Sequence, residues 1–148
     1  MTGSPARLRF GLVALLSLPA ADAAASCEAI VRFGLAAAQP GSVVVLADIV
    51  DVRPPHEVRV KVVSVLRGGR LPAQITILHS LSSPMPSINA PLNTRWAIVV
   101  TRAPDDGAYY VPSCSEASLR VRKSRQDTGV NIGDIKRQIR EGYELYNR

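Results

Sequence analysis

Apolar residues concentrate in two neighbouring segments of the chain, and each segment predicts a β-strand. Residues 43–52 are apolar at nearly every position, which is typical of a strand that is buried on both faces or strongly coiled. Residues 57–66 instead alternate between valine and charged side chains over their first half. The segment Arg53-Pro54-Pro55-His56 separates the two runs, so the pattern predicts two strands joined by a turn.

The alternation in the second segment changes phase part-way along. Arg59 and Lys61 are predicted to face water while the valines between them face a core. At Val62-Val63 the alternation slips by one residue. A β-bulge produces such a slip and bends its strand, so that a sheet can curl into a barrel. The alternative is a strand whose second half is buried on both faces.

The rest of the chain contains further strands, one long loop and two helices. Residues 81–94 are rich in Ser, Pro and Asn and predict a loop. The predicted later strands are residues 73–80, 96–102 and 108–111, with a hairpin turn at residues 104–107 and a short basic edge strand at residues 119–123. A short helix is predicted over residues 27–38, where Gly34 weakens the pattern.

The last element is an amphipathic helix with Asn131 as its N-cap. Apolar side chains recur after it at spacings of three and four, at Ile132, Ile135, Ile139, Tyr143 and Tyr146. The fold class predicted from all these segments is mainly β, a five-stranded barrel with a short N-terminal helix and a C-terminal helix.

The first 25 residues have the order of a secretory signal peptide. A basic start is followed by the apolar run of residues 10–18, Pro19 and a series of small residues. We expect cleavage after Ala25, with Ala23 as the other available site, and a single domain over residues 26–148. The chain is therefore predicted to be exported, to the periplasm or the extracellular space, without a permanent transmembrane segment. The alternative is a buried N-terminal helix of a cytosolic protein.

Cys27 and Cys114 are the two cysteines of the chain. In an exported protein an even count suggests a disulfide, and two cysteines allow one intramolecular connectivity. The alternative is that Cys27 carries a lipoprotein anchor, although the residues before it lack the usual leucine three positions upstream.

The sequence does not indicate an enzyme, a cofactor or a metal site. His56 and His79 are the two histidines, and neither has the spacing of a zinc site. No serine stands in a Gly-x-Ser-x-Gly elbow. We therefore expect a non-enzymatic protein.

The formal net charge of +6 directs attention to the basic side chains. A first group lies on and after the second strand and, with the loop at residues 81–94, forms the candidate binding surface: Arg59, Lys61, Arg67 and Arg70. A second group follows Cys114: Arg120, Arg122, Lys123 and Arg125. Nucleic acid is not favoured as a partner, because small barrels that bind it pair such charge with exposed aromatic side chains, and aromatic residues make up 5% of this chain.

Three segments resemble one known family. They are residues 42–50 (SVVVLADIV), residues 58–68 (VRVKVVSVLRG), which follow the pattern V-x-V-x-x-V-L-K-G with Arg67 in place of lysine, and residues 110–115 (YVPSCS). The chain is similar to the netrin-like or tissue-inhibitor-of-metalloproteinase-like OB barrels, in the reduced form of exported bacterial proteins. The similarity covers about residues 27–124.

The resemblance implies an OB-type fold and a binding role outside the cytoplasm, with a protein or an envelope component as partner. Eukaryotic inhibitors of this family bind a protease zinc through the amine and carbonyl of an N-terminal cysteine. Cleavage after Ala25 would place Ser26 at the terminus instead, whereas cleavage directly before Cys27 would allow that mechanism. Metalloprotease inhibition is therefore the alternative function, and oligonucleotide binding is a weaker one.

Overall fold

The computed structural model describes residues 29–53, 57–78, 91–103, 107–112 and 114–148. Two helices and six strands occur in these residues. In chain order they are α1 (Phe33–Ala38), β1 (Ser42–Arg53), β2 (Glu57–Arg67), β3 (Gln74–Leu78), β4 (Arg95–Arg102), β5 (Tyr109–Tyr110), β6 (Ser118–Val121) and α2 (Ile132–Tyr146).

Five of the strands close into a barrel. β1 pairs antiparallel with both β2 and β4, β2 pairs antiparallel with β3, and β5 pairs antiparallel with β4. A parallel pairing between β3 and β5 completes the circle in the order β1-β2-β3-β5-β4-β1. β6 is an additional strand that pairs with the start of β4. The mainly β, five-stranded barrel of the OB type predicted from the sequence is therefore confirmed.

β-Bulges bend the long β1–β2 pair. Leu46 lies opposite Ser64 and Ala47 opposite Val62, so Val63 is an extra residue in β2. Its side chain is 42% exposed, although it is a valine. The bulge predicted at Val62-Val63 is confirmed, and the register shifts again further along β2 and once within β1. Such extra residues increase local twist and curvature, which allows β1 to pair with β4 on its other edge.

Helix α1 is shorter than the helix predicted over residues 27–38, because it begins at Phe33. The N–H group of Val31 donates a hydrogen bond to the carbonyl of Cys114 at 2.8 Å, and the N–H group of Glu116 donates to the carbonyl of Val31 at 2.7 Å. These bonds hold Val31 in a β-bridge. The prediction was wrong at this end because local apolar spacing cannot reveal a pairing across more than 80 positions of the chain.

Helix α2 begins as the sequence predicts. The side chain of Asn131 accepts a hydrogen bond from the N–H group of Gly133 at 2.8 Å, which satisfies one of the free donors of the first turn. Ile135 and Ile139 are buried against the barrel and α1. The end of the predicted apolar stripe differs, since Tyr143 and Tyr146 remain half exposed.

The core lies inside the barrel and beneath the two helices. Phe33 from α1 and Ile135 from α2 are fully buried, so each helix contributes a large side chain. The fully buried strand residues include Val44, Val45, Val60, Ile77, Val99 and Val100. Burial of each such side chain stabilises the fold by roughly 1.5–3 kcal/mol before conformational entropy is subtracted.

The remaining strand predictions hold with small changes in length. β5 is limited to Tyr109–Tyr110, and the edge strand predicted at residues 119–123 is present as β6. The backbone of Val130 covers its outer edge through hydrogen bonds with Arg120 and Arg122. The predicted signal peptide, Cys27, the hairpin turn at residues 104–106 and most of the loop at residues 81–94 lie outside the described residues.

Candidate functional site

Arg59 and Lys61 lie on the outer face of β2, as the alternation predicts. The neighbouring strand β1 places an aspartate opposite each of them: Asp51 pairs with Arg59, and Asp48 pairs with Lys61. Directly opposed charges of unlike sign stabilise a strand pair. This face is therefore a ladder of mixed charge, and two of the four candidate basic residues contribute to strand pairing within it.

Asp48 is held by cations from two other segments. Arg95 donates two hydrogen bonds to it, from Nε to Oδ1 at 2.9 Å and from a terminal nitrogen to Oδ2 at 3.0 Å. The Nζ atom of Lys123 lies 3.3 Å from Oδ1 and also donates to the carbonyl of Asn93. The hydrogen bond from Arg95 is the main reason why the pKa of the Asp48 carboxyl is lowered. The cluster joins β1 to β4 and to the segment after β6.

Part of the second basic group, which follows Cys114, is also engaged. Arg120 lies 3.2 Å from Asp127, and the backbone N–H group of Lys123 donates to the same carboxylate at 3.2 Å. The bond from Lys123 is the main cause of the lowered pKa of Asp127. Arg122 and Arg125 are exposed and form no ion pair with the described residues.

Arg67 is separated from Arg59 and Lys61. It follows both extra residues of β2, and its guanidinium carbon lies 4.1 Å from the centroid of the Tyr143 ring of α2. That distance is typical of a cation–π contact. Arg70 is exposed in the loop that follows β2. The structure thus places Arg59 and Lys61 on the outer sheet face, Arg67 on the side of β2 next to α2, and Arg70 in the loop that follows.

A cleft of about 340 Å³ separates the end of β2 from α2. We call it the β2–α2 cleft, and it is lined by Ser64, Val65, Leu66, Lys136 and Ile139. Its walls combine the apolar side chains of Val65, Leu66 and Ile139 with two polar ones, Ser64 and Lys136. Binding sites for small groups commonly combine an apolar surface with a few polar side chains in this way.

The cations on this side of α2 have no acidic partner within the part of the chain that the structure describes. Lys136, Arg140 and Tyr143 recur at spacings of four and three, which places them on one side of the helix. Neither Lys136 nor Arg140 forms an ion pair within 4.0 Å among the described residues. Arg137, in contrast, lies 2.7 Å from Asp134 and 3.8 Å from Glu141 on the outer side of the helix. Among the cations of α2, those without an ion pair in the described residues are therefore the two beside the β2–α2 cleft.

No family model matches this chain, and no curated protein matches its sequence. The site must therefore be interpreted from its own residues. Within the described ranges, no three His, Cys, Asp or Glu side chains converge to hold a metal ion. Neither of the helices in those ranges combines the length and the apolar character that crossing a bilayer requires.

The sequence analysis missed Lys136 and Arg140 as site residues and interpreted Tyr143 as part of the apolar stripe. Their common side of α2 is visible in the sequence from the spacing alone. Their proximity to the end of β2 is not visible in the sequence, because it depends on how the barrel bends at its bulges. Cys27, His56 and His79 lie outside the described residues, so the disulfide stays a prediction.

Proposed function

We propose that this chain is an exported, non-enzymatic binding domain of the netrin-like OB type, which recognises a protein or an envelope component. The surface that would serve this role is the side of the domain where α2 runs beside β2. Export, the netrin-like relationship and the identity of the partner are all parts of this proposal.

The exposed end of α2 is the observation that carries the proposal. Tyr143 is 48% exposed and Tyr146 is 50% exposed, and both follow the β2–α2 cleft along the helix. Arginine and aromatic side chains are enriched at protein interfaces, where their burial provides much of the binding energy. Two half-exposed tyrosines beside two unpaired cations favour an interface over an inert, solvated helix.

The outer sheet face supports a protein partner over an oligonucleotide. OB folds that bind oligonucleotides use the face of their second and third strands. In this chain Arg59 and Lys61 on that face lie opposite Asp51 and Asp48, which would repel phosphates. Their neighbours on β3 are Thr76 and Gln74, which offer no aromatic ring for base stacking.

The position of the N-terminal segment, which is hydrogen-bonded to the segment at Cys114, supports the netrin-like relationship. The predicted disulfide joins Cys27 to Cys114, and the Val31 bridge brings the N-terminal segment beside Cys114. Cys27 precedes Val31 by four residues, which an extended chain spans in roughly 13 Å. A disulfide between Cys27 and Cys114 would tether the N-terminal segment of the domain to the barrel.

Reconstitution of a complex tests the proposed function. The purified full chain, immobilised at its C-terminus, is incubated with the envelope and secreted fractions of its source cells. We expect a retained partner that, once purified, binds the chain with defined stoichiometry in a calorimeter at physiological salt. Retention of nothing, or retention of nucleic acid with a steep salt dependence, would contradict the proposal.

A further inference from the structure

We infer that the β2–α2 cleft binds an acidic polypeptide segment that inserts one apolar side chain. The inference rests on the proposed function and specifies the chemistry of its partner. Three observations support it: the charge around the cleft, the apolar surface within it and the packing of the apolar face of α2 against the rest of the domain.

The positive charges around the cleft predict acidic residues on both sides of the residue that inserts into it. Lys136 and Arg140 stand on the cleft side of α2 without an ion pair among the described residues. Arg67 approaches from β2, and its described contact is the ring of Tyr143. One cation thus lines the cleft, and two others, Arg67 and Arg140, directly follow its lining residues Leu66 and Ile139 in the chain. Carboxylates on a partner would form ion pairs with these cations.

The interior of the cleft defines what lies between those carboxylates. Val65 and Leu66 from β2 and Ile139 from α2 present apolar surface. Leu66 and Val65 are half-buried, so this surface remains accessible. A volume of about 340 Å³ suits one inserted side chain with the adjoining backbone better than an extended apolar surface. The expected pattern is therefore an aliphatic or aromatic residue flanked by Asp or Glu.

The orientation of α2 argues against a lipid surface. An interfacial helix turns its apolar face to the membrane. The apolar face of α2 instead packs inward through Ile135, Ile139 and Gly142. Leu145 is exposed, but Glu141 and Glu144 lie near it in sequence and would repel anionic headgroups.

The position of Arg67 argues against nucleic acid. Base stacking needs an open aromatic face, and one face of the Tyr143 ring is covered by the Arg67 guanidinium. Phosphates would pair with the cations but would leave the apolar surface of Val65, Leu66 and Ile139 unused. An acidic polypeptide uses both the cations and the apolar surface.

Peptide selection on the purified full chain tests the inference. Random 12-residue peptides displayed on phage are selected against the chain, and the enriched peptides are synthesised and titrated by fluorescence polarisation. We expect enrichment of one aliphatic or aromatic residue flanked by Asp or Glu. The charge-reversal variant Lys136→Glu/Arg140→Glu should bind these peptides at least about tenfold more weakly, which corresponds to 1.4 kcal/mol.

The matched control is Arg122→Glu/Arg125→Glu, which changes the net charge equally at another exposed position. It should alter affinity by less than about twofold, within the range of a remote rim charge. Circular dichroism and thermal unfolding establish that each variant is folded. Should charge reversal disturb the helix, Lys136→Gln/Arg140→Gln provides the same comparison without introducing repulsion.

Several results would overturn the inference. One is that the selected peptides share no pattern of an apolar residue flanked by Asp or Glu. Another is that both double variants lose affinity equally. A third is that the peptides do not bind, while anionic phospholipid vesicles or single-stranded DNA bind in a way that depends on Lys136 and Arg140. If the partner retained from the envelope fraction binds the Lys136→Glu/Arg140→Glu variant unchanged, the proposed function stands and this site is wrong.

Discussion

Gly34 of α1 and Gly142 of α2 lie backbone against backbone where the two helices cross. A Cβ atom added to Gly142 would overlap the carbonyl group and Cα of Gly34. A Cβ atom added to Gly34 would overlap the carbonyl oxygen of Gln138. The two glycines therefore permit an approach that any side chain would prevent, and this approach sets the position of α2 beside β2.

Replacement of Gly142 by alanine should destabilise the protein. Alanine favours an isolated helix by about 1 kcal/mol relative to glycine. At this crossing the overlap should outweigh that gain and lower the free energy of unfolding by roughly 1–3 kcal/mol. Denaturant unfolding measures the change. The control Gly69→Ala places its Cβ in open space and should change stability by less than about 0.5 kcal/mol, and an unchanged Gly142→Ala would contradict the close crossing.

The Asp48–Arg95 pair should contribute stability that acid removes. The pKa of Asp48 is lowered in the folded protein, chiefly by the hydrogen bond from Arg95. A carboxyl whose folded pKa is lowered stabilises the fold above its unfolded pKa, and the contribution is lost as the pH falls through the folded value. Asp48→Asn should therefore lower the free energy of unfolding by about 1–2 kcal/mol at neutral pH.

The difference between Asp48→Asn and the native protein should shrink as the pH falls below about 4, the pKa of an unfolded aspartate, because the unfolded carboxyl then binds a proton before the native one does. Unfolding measured from about pH 7 to pH 3 checks this. Asp51→Asn on the same strand is the control, since its ion pair with Arg53 is more exposed. A constant difference across the whole range would show that Asp48 does not act through its charge.

The contact between Arg67 and Tyr143 should couple β2 to α2. A cation over an aromatic ring at a partly exposed position contributes roughly 0.5–1 kcal/mol. A double-mutant cycle with Arg67→Gln and Tyr143→Leu should give a coupling energy of that size in denaturant unfolding. The same cycle with Arg70→Gln in place of Arg67→Gln should give no coupling, and an equal value for both would assign the effect to general charge.

The predicted disulfide between Cys27 and Cys114 can be tested by mass spectrometry. Alkylation of the native protein should label no thiol, and two thiols should react after unfolding and reduction. Reduction should lower the free energy of unfolding by at most about 4–5 kcal/mol, because the bridge closes a long loop. Two reactive thiols in the native protein would refute the bridge.

N-terminal sequencing of the protein isolated from its source cells tests whether its N-terminus is able to bind a protease zinc. Cleavage after Ala25 predicts a mature chain that begins at Ser26, which leaves no free cysteine amine to bind a metal. A chain that begins at Cys27 would instead support inhibition of a metalloprotease.

The sequence predicts the barrel well because its signals are local. Alternating valines define β2, the slip at Val62-Val63 defines its bulge, and Asn131 defines the start of α2. Each feature depends on neighbours within a few positions, where side-chain periodicity and capping are decisive.

The features that the sequence does not predict depend on contacts between distant segments. Gly34 weakens a helix in isolation, yet the crossing with Gly142 requires it. Val31 looks helical from its neighbours, yet it pairs with the segment at Cys114. The β2–α2 cleft arises in the same way, since Arg67 was expected beside Arg59 and lies instead beside Tyr143.

Photo-crosslinking in intact source cells tests the central claim that the domain binds a partner through the side of α2 next to β2. A photoreactive amino acid replaces Glu144, which is exposed and directly follows Tyr143 in α2, or Gln126, which is exposed in the segment before α2. We predict a discrete crosslinked protein from position 144 and none from position 126. Absence of an adduct at position 144, or an adduct confined to position 126, would contradict the account.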